Sequence, residues 1–174
     1  MITLFDNNTY FCQQIEFLEQ VLHLMDSHVE AIDKWESQDP EAAGMFQDRQ
    51  DCAIGLGFMA CQQYITAVFN FWKLTPSVAL ALGRKVDGVP VVSAINTAAN
   101  WWKHHAEWTC DPHAEAKSTK TKREIQRFGL DPDGASVQHD ILAKISSDKT
   151  LIIMIDDLSK WTQCVAQKSY ATDA

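Results

Sequence analysis

From Phe11 onward the apolar residues fall at Phe11, Ile15, Leu18, Leu22, Met25, Val29 and Ile32, in steps that alternate four and three. Side chains three and four apart share one face of an α-helix. This seam therefore predicts a long first helix, capped within Asp6-Asn7-Asn8-Thr9 and packed along its length. Phe17, Val21, Leu24 and Trp35 lie beside the seam and are expected to widen it. Asp39-Pro40-Glu41 reads as a restart: Asp as N-cap, Pro at the first helical position, and an acid where the helix dipole favours one. The same alternation returns at Ile54, Phe58, Cys61, Ile65, Val68 and Trp72, doubled by Ala53, Gly57, Ala60, Tyr64, Ala67 and Phe71. A helix from about Pro40 to Leu74, apolar over more than half its circumference, is expected to be the central one. The short connection makes it antiparallel to the first. Gly55 and Gly57 each cost about 1 kcal/mol relative to Ala inside a helix, so they mark a bend or the close approach of another helix.

Farther on, Thr75-Pro76-Ser77 starts a short helix to Leu82, ended by Gly83, and Asp87-Gly88 between Val86 and Val89 is a turn pair for a tiny hairpin near 84–91. Pro90 opens a third major helix that runs to about Thr109, before Asp111-Pro112 offers another cap. A polar helix covers roughly Lys117 to Phe128 and stops at Gly129, and Asp131-Pro132-Asp133-Gly134 is a turn. Ser136 caps a short helix to about Ile145. Leu151, Met154, Ile155, Leu158, Trp161 and Val165 then follow helical spacing. Thr150 to Ile155 alone would suit a strand, but its period continues into Asp156-Asp157-Leu158 with no partner strand, which predicts a final helix. The adjacent acids Asp156 and Asp157 are expected to face solvent. The fold predicted is all-α: one domain over 1–174, a helical bundle with two long antiparallel helices and three to four further helices.

Composition narrows the function classes. A hydrophobic fraction of 46% and a charged fraction of 22% are those of a globular chain. A net charge of -8 argues against tight nonspecific nucleic-acid binding, which needs Lys and Arg to displace counterions. The basic cluster Lys117, Lys120, Lys122, Arg123 and Arg127, diluted by Glu115 and Glu124, reads as a solvated helix face, with an anion-binding surface as the alternative. No unbroken run approaches the roughly 18 apolar residues of a membrane helix, and Met1 to Tyr10 lacks the pattern of a signal peptide. A cytoplasmic protein without membrane contact is expected. Cys12, Cys52, Cys61, Cys110 and Cys164 show no CxxC spacing and are expected to be reduced.

The chemistry concentrates in 90–108, PVVSAINTAANWWKHHAEW. Wound as a helix, Ser93, Asn96, Asn100, Lys103, His104 and Glu107 form one polar stripe. Val92, Ile95, Ala98, Ala99 and Trp102 form an apolar one, and Trp101, His105 and Trp108 stack on a third face. Asparagine competes for backbone hydrogen bonds inside helices, so two of them a turn apart ask for a reason beyond propensity. Metal is not the reason: His104, His105, Glu107, Cys110 and His113 are close in sequence, yet adjacent helical positions diverge by about 100°. His23 and His28 also face different ways, and His139 stands alone. No metal and no cofactor is expected, and phosphate loops, dinucleotide turns, GxSxG and HExxH are absent.

A helical bundle carrying Asn100-Trp101-Trp102-Lys103-His104 on a late helix resembles the HEPN superfamily of RNA-cleaving and antiphage helical proteins. The resemblance implies catalytic roles for His104, acting on an attacking 2′-hydroxyl or a leaving group, and for Asn100, orienting it, with Lys103 and Asn96 on the same face. It also implies a homodimer and an RNA partner. Where the family places an arginine this chain has Ala99, so Lys103 is the cation at hand, as a point charge rather than a fork. Two other readings fit the same residues. Trp101, His105, Trp108 and Glu107 could form a non-catalytic surface for a dimer, a protein partner or a small apolar ligand; or the aromatic residues could be core, with the asparagines bridging neighbouring segments.

Overall fold

The alternating seam of Leu18, Leu22 and Ile32 turns wholly inward in α1 (Asn7–Glu36), with Ile15, Met25 and Val29 partly covered beside it. This is a computed structural model, describing residues 7–39, 41, 43–108, 115–134 and 136–172. Of the residues expected to widen the seam, Val21 is half-buried, but Phe17 is 67% exposed and Leu24 64%, and Trp35 is exposed as well. They follow the same helical period one face over, and periodicity alone does not say which of two adjacent faces meets the core.

α2 (Ala43–Phe71) lies antiparallel to α1, with Gln50 near its start donating to Asp33 near the end of α1. It begins three residues beyond the predicted Pro40, which lies outside the described residues, and it ends before Trp72, where Lys73 takes a left-handed conformation at φ 54°. Its buried side chains include Phe46, Ile54, Phe58, Cys61, Ile65 and Val68, and it packs against α1, α4, α6 and α7 as the central helix. Both glycines mark close approaches. A Cβ on Gly55 would stand 2.3 Å from the Trp102 indole, and one on Gly57 2.6 Å from Leu151 Cδ1. By length and composition α2 could also cross a membrane, although 56% of the qualifying stretch is buried within the protein, as in any core helix. The sequence expectation counted unbroken apolar runs, whereas α2 qualifies on mean hydropathy.

After α3 (Pro76–Ala79), strands β1 (Lys85–Val86) and β2 (Val89–Pro90) form the tiny hairpin. Lys85 pairs with Pro90 and Val86 with Val89, across Asp87 (φ 50°) and Gly88 (φ 79°). Two left-handed residues in succession are the type I′ geometry that matches strand twist. The hairpin delivers the chain into α4 (Val91–Trp108), whose inner face of Val91, Val92, Ala94, Ile95, Ala98 and Ala99 is buried against α2 and α6.

α5 (Glu115–Arg127) packs on α4 and closes at Gly129 with φ 70°. α6 (Val137–Ile145) follows; Ser136 makes no side-chain cap and instead accepts a hydrogen bond from Gln47 Nε2 at 2.7 Å. α7 (Met154–Thr172) buries Met154, Leu158, Trp161 and Val165, and the Trp161 indole donates to Ala79 O at 2.8 Å. Of the segment that alone would suit a strand, Met154 and Ile155 belong to this helix, while 150–153 are neither strand nor helix. Leu151 and Ile152 sit in turns, their amides donating to the two Asp26 carboxylate oxygens at 2.8 and 3.0 Å. Buried residues of α1, α2, α4, α6 and α7 form one core cluster. The fold is an all-α helical bundle, 76% helical, with seven helices and the two-stranded hairpin among the described residues.

Candidate functional site

Lys103, when charged, has only protons to offer, so the atom it meets on Gln62 of α2 is the amide oxygen, at 2.6 Å. That contact fixes the polarity of everything beyond it. The other end of the Gln62 amide is NH2, and it donates to Asn96 Oδ1 and Asn100 Oδ1, both at 2.9 Å. With their oxygens turned to Gln62, the two asparagines direct their own amide N–H groups away from it. Gln62 is only 7% exposed, while Asn96, Asn100 and Lys103 are half-buried. The seam between α2 and α4 therefore presents hydrogen-bond donors and one cation, an arrangement suited to an oxygen-rich anion.

Of the predicted stripe, Asn96, Asn100 and Lys103 are brought together on Gln62, and His104 stands exposed at the next position of the helix. The Glu107 and Trp108 side chains, and Cys110 and His113, lie outside the described residues. Ala99 is wholly buried, so an arginine there would enter the core rather than the polar seam.

The aromatic face is used internally. Trp101 is 6% exposed, and its indole donates to Pro132 O at 3.1 Å. His105 stacks flat on it, with centroids 4.2 Å apart and planes 2° from parallel. His105 Nδ1 faces the Trp101 and Trp102 carbonyls at 3.2 and 3.1 Å. Carbonyls only accept, so Nδ1 carries the proton. A docking surface centred on Trp101 is thus covered within the chain, and Trp102 is half-buried over Gly55. Among the described residues, no three His, Cys, Asp or Glu side chains converge on one point.

Further polar pairs were not foreseen. Asp157, expected to face solvent, is 9% exposed and holds the Arg84 guanidinium through both oxygens, each at 2.7 Å; Arg84 also donates to Ile145 O at 3.0 Å. The paired carboxylate raises the Arg84 pKa. Its neighbour Asp156 does face solvent, bound to Lys160 at 2.6 Å. His139 is not alone: its Nδ1 lies 2.7 Å from Asp51 Oδ1. Burial raises the Asp51 pKa, partly offset by His139. Burial also pushes the Cys61 thiol up, so it is an inert core group. In the basic helix, Lys122 pairs with Asp133 and Arg127 with Glu124, while Lys120 and Arg123 are exposed.

Gln62 had a sequence signal: Gln62-Gln63 is the only pair of polar side chains in the otherwise apolar run from Ala53 to Ile65. The chain matches no protein-family model, no curated protein and no solved structure.

Proposed function

We propose that the protein is a cytoplasmic, nucleic-acid-directed helical protein whose α2–α4 seam receives the phosphodiester backbone of single-stranded RNA. The observation that carries this reading is the enforced polarity of the seam: Lys103 orients Gln62, Gln62 orients Asn96 and Asn100, and the outward groups are donors beside a cation. Phosphate oxygens are acceptors with negative charge, which such a site complements. The net charge of -8 makes this contact local, confined to a short stretch of backbone.

In this reading Lys103 and the Asn100 amide hold the non-bridging oxygens of one phosphate. His104, exposed beside them, takes the proton from a 2′-hydroxyl as its oxygen bonds to phosphorus. The bond to the 5′-oxygen breaks, and the imidazole delivers that proton to the departing oxygen. A 2′,3′-cyclic phosphate and a 5′-hydroxyl end remain.

The test uses a 5′-labelled single-stranded RNA, following anisotropy for binding and gel mobility for cleavage, with and without chelator. Gln62→Glu is the diagnostic variant. A carboxylate still accepts from Lys103 but cannot donate, so both asparagines turn their amides inward and present oxygens. Binding is expected to weaken on the order of tenfold or more, as loss of a charge-assisted donor set requires, with the helical circular dichroism retained. His104→Ala is expected to bind like wild type and to lose cleavage. Failure of wild type to bind at about 100 μM, the weak end of typical nonspecific affinities, overturns the reading. Binding without cleavage removes the catalytic role of His104.

A further inference from the structure

We propose that the outer face of the α1–α2 hairpin docks a second copy of this chain. The inference is independent of the RNA reading and of the α4 aromatics. It starts from the second heptad row on α1, Phe17, Val21, Leu24, His28, Ala31 and Trp35, whose steps again alternate four and three. A row with that spacing is what a helix presents to another helix, yet its members Phe17 and Leu24 are about two-thirds exposed and Trp35 nearly half. On α2 the neighbouring surface carries exposed Leu56, with Ala60 and Ala67 set lower. Phe17, Val21, Ala60 and Ala67 line an open groove of about 590 Å³.

Charge argues for a second copy. The chain carries -8, so two copies meet with least repulsion across a surface free of acids. This face is such a surface. Glu16, Glu19, Asp26, Glu30 and Asp33 lie on other sides of α1 by helical angle, the border of the row is Gln13, Gln20, Ser27 and, at its far end, Lys34, and α2 has no charged residue from 52 to 72. A basic partner would find no acid to steer it here.

Shape argues the same way. A two-fold interface needs one surface that carries both the protrusion and the recess. Here Phe17 protrudes beside the small side chains of Ala60 and Ala67, and Leu24 protrudes farther along the same row. From Phe17 to Trp35 the row runs about 27 Å at 1.5 Å per residue, and two adjacent helices make a strip roughly 20 Å wide. That flat footprint, roughly 540 Å² before the relief of the side chains is added, is of the order of the ~800 Å² per partner of a stable dimer. Two hairpins joined this way form a four-helix arrangement.

The test is sedimentation velocity of the full chain between about 1 and 100 μM. Wild type is expected at twice the 19.6 kDa of one chain. Leu24→Glu places a carboxylate in the face without touching the core, and should raise the dimer dissociation constant on the order of 30-fold or more, as removal of a central anchor does. Phe17→Ser is a second variant with the same expected direction. Ile153→Glu, an exposed apolar residue on another surface, is expected to leave the dimer intact. Circular dichroism melts confirm that each variant folds. Wild type that stays monomeric at 100 μM overturns the proposal, as does a dimer broken by Ile153→Glu but not by Leu24→Glu. Monomeric wild type that sediments with phosphatidylcholine vesicles would overturn it in favour of a lipid surface.

Discussion

The absence of one methyl group at Gly55 lets the Trp102 indole lie against the α2 backbone. Alanine there would be favoured by helix propensity by about 1 kcal/mol, but its Cβ would need the rigid indole to move by more than an ångström. Gly55→Ala is expected to destabilise the protein by about 1–3 kcal/mol net, read as a lower urea midpoint at unchanged slope; a midpoint equal to wild type would mean that Trp102 swings away freely. Asp51 makes a second residue-level prediction. Its pKa is raised in the folded state by burial, against the pull of His139. The folded protein therefore holds the proton more tightly than the unfolded chain. The stability contributed by protonated Asp51 is full below the ordinary value of 3.8 and is lost as pH rises through the raised folded value. Urea midpoints across the acid range should show this fall in wild type and a flatter profile in Asp51→Asn, while identical profiles would refute the assignment. The sequence alone placed Asn96, Asn100 and Lys103 on one face, because that needs only helical geometry. It marked Gln62 only as a polar residue in an apolar run, and did not show that it reaches Asn96 across 34 residues of chain. Nor did it say that the Trp101 face would be covered by the Pro132 turn.

Among elements, the start of α7 depends on a side chain far away. Asp26 in α1 accepts both the Leu151 and Ile152 amides, fixing the two residues whose carbonyls in turn accept from Met154 and Ile155 in the first turn of the helix. Asp26→Ala should cost about 1–2 kcal/mol, comparable to loss of a helix cap, and should speed amide exchange in 151–158 more than elsewhere. A uniform loss of protection would show that Asp26 is a general packing residue instead. This contact also explains why the ambiguous stretch Thr150 to Ile155 joins the helix only from Met154: the conformation ahead of it is set by a carboxylate 125 residues before Leu151. The helices themselves were legible to within a few residues, because each buries a continuous stripe. The hairpin was legible because Asp-Gly meets the backbone demand of a type I′ turn at Asp87 and Gly88. The reading failed on α1, where two heptad rows share one period and only the three-dimensional partner distinguishes the buried row from the exposed one.

At the scale of the molecule, Arg84 binds three parts of the chain at once: its own loop before the hairpin, the end of α6 through Ile145 O, and α7 through Asp157. Arg84→Ala leaves a 9% exposed carboxylate without its partner, but the guanidinium itself is 46% exposed, so solvent softens the loss. A destabilisation of about 1–2 kcal/mol is expected, with Asp157→Asn in the Arg84→Ala background recovering part of it; no recovery would mean that packing of the arginine stem, not charge, was lost. α2 has a different consequence, one of order in time. Its charge-free stretch is the part of the chain least suited to water on its own, and the helix that covers it precedes it in sequence. A ribosome therefore releases the cover before the segment that needs covering, and the two can close through contacts between neighbouring helices before the distant contacts to α4 and α7 exist. Pulse-labelled hydrogen exchange should find the amides of 54–68 protected first, ahead of those in α7.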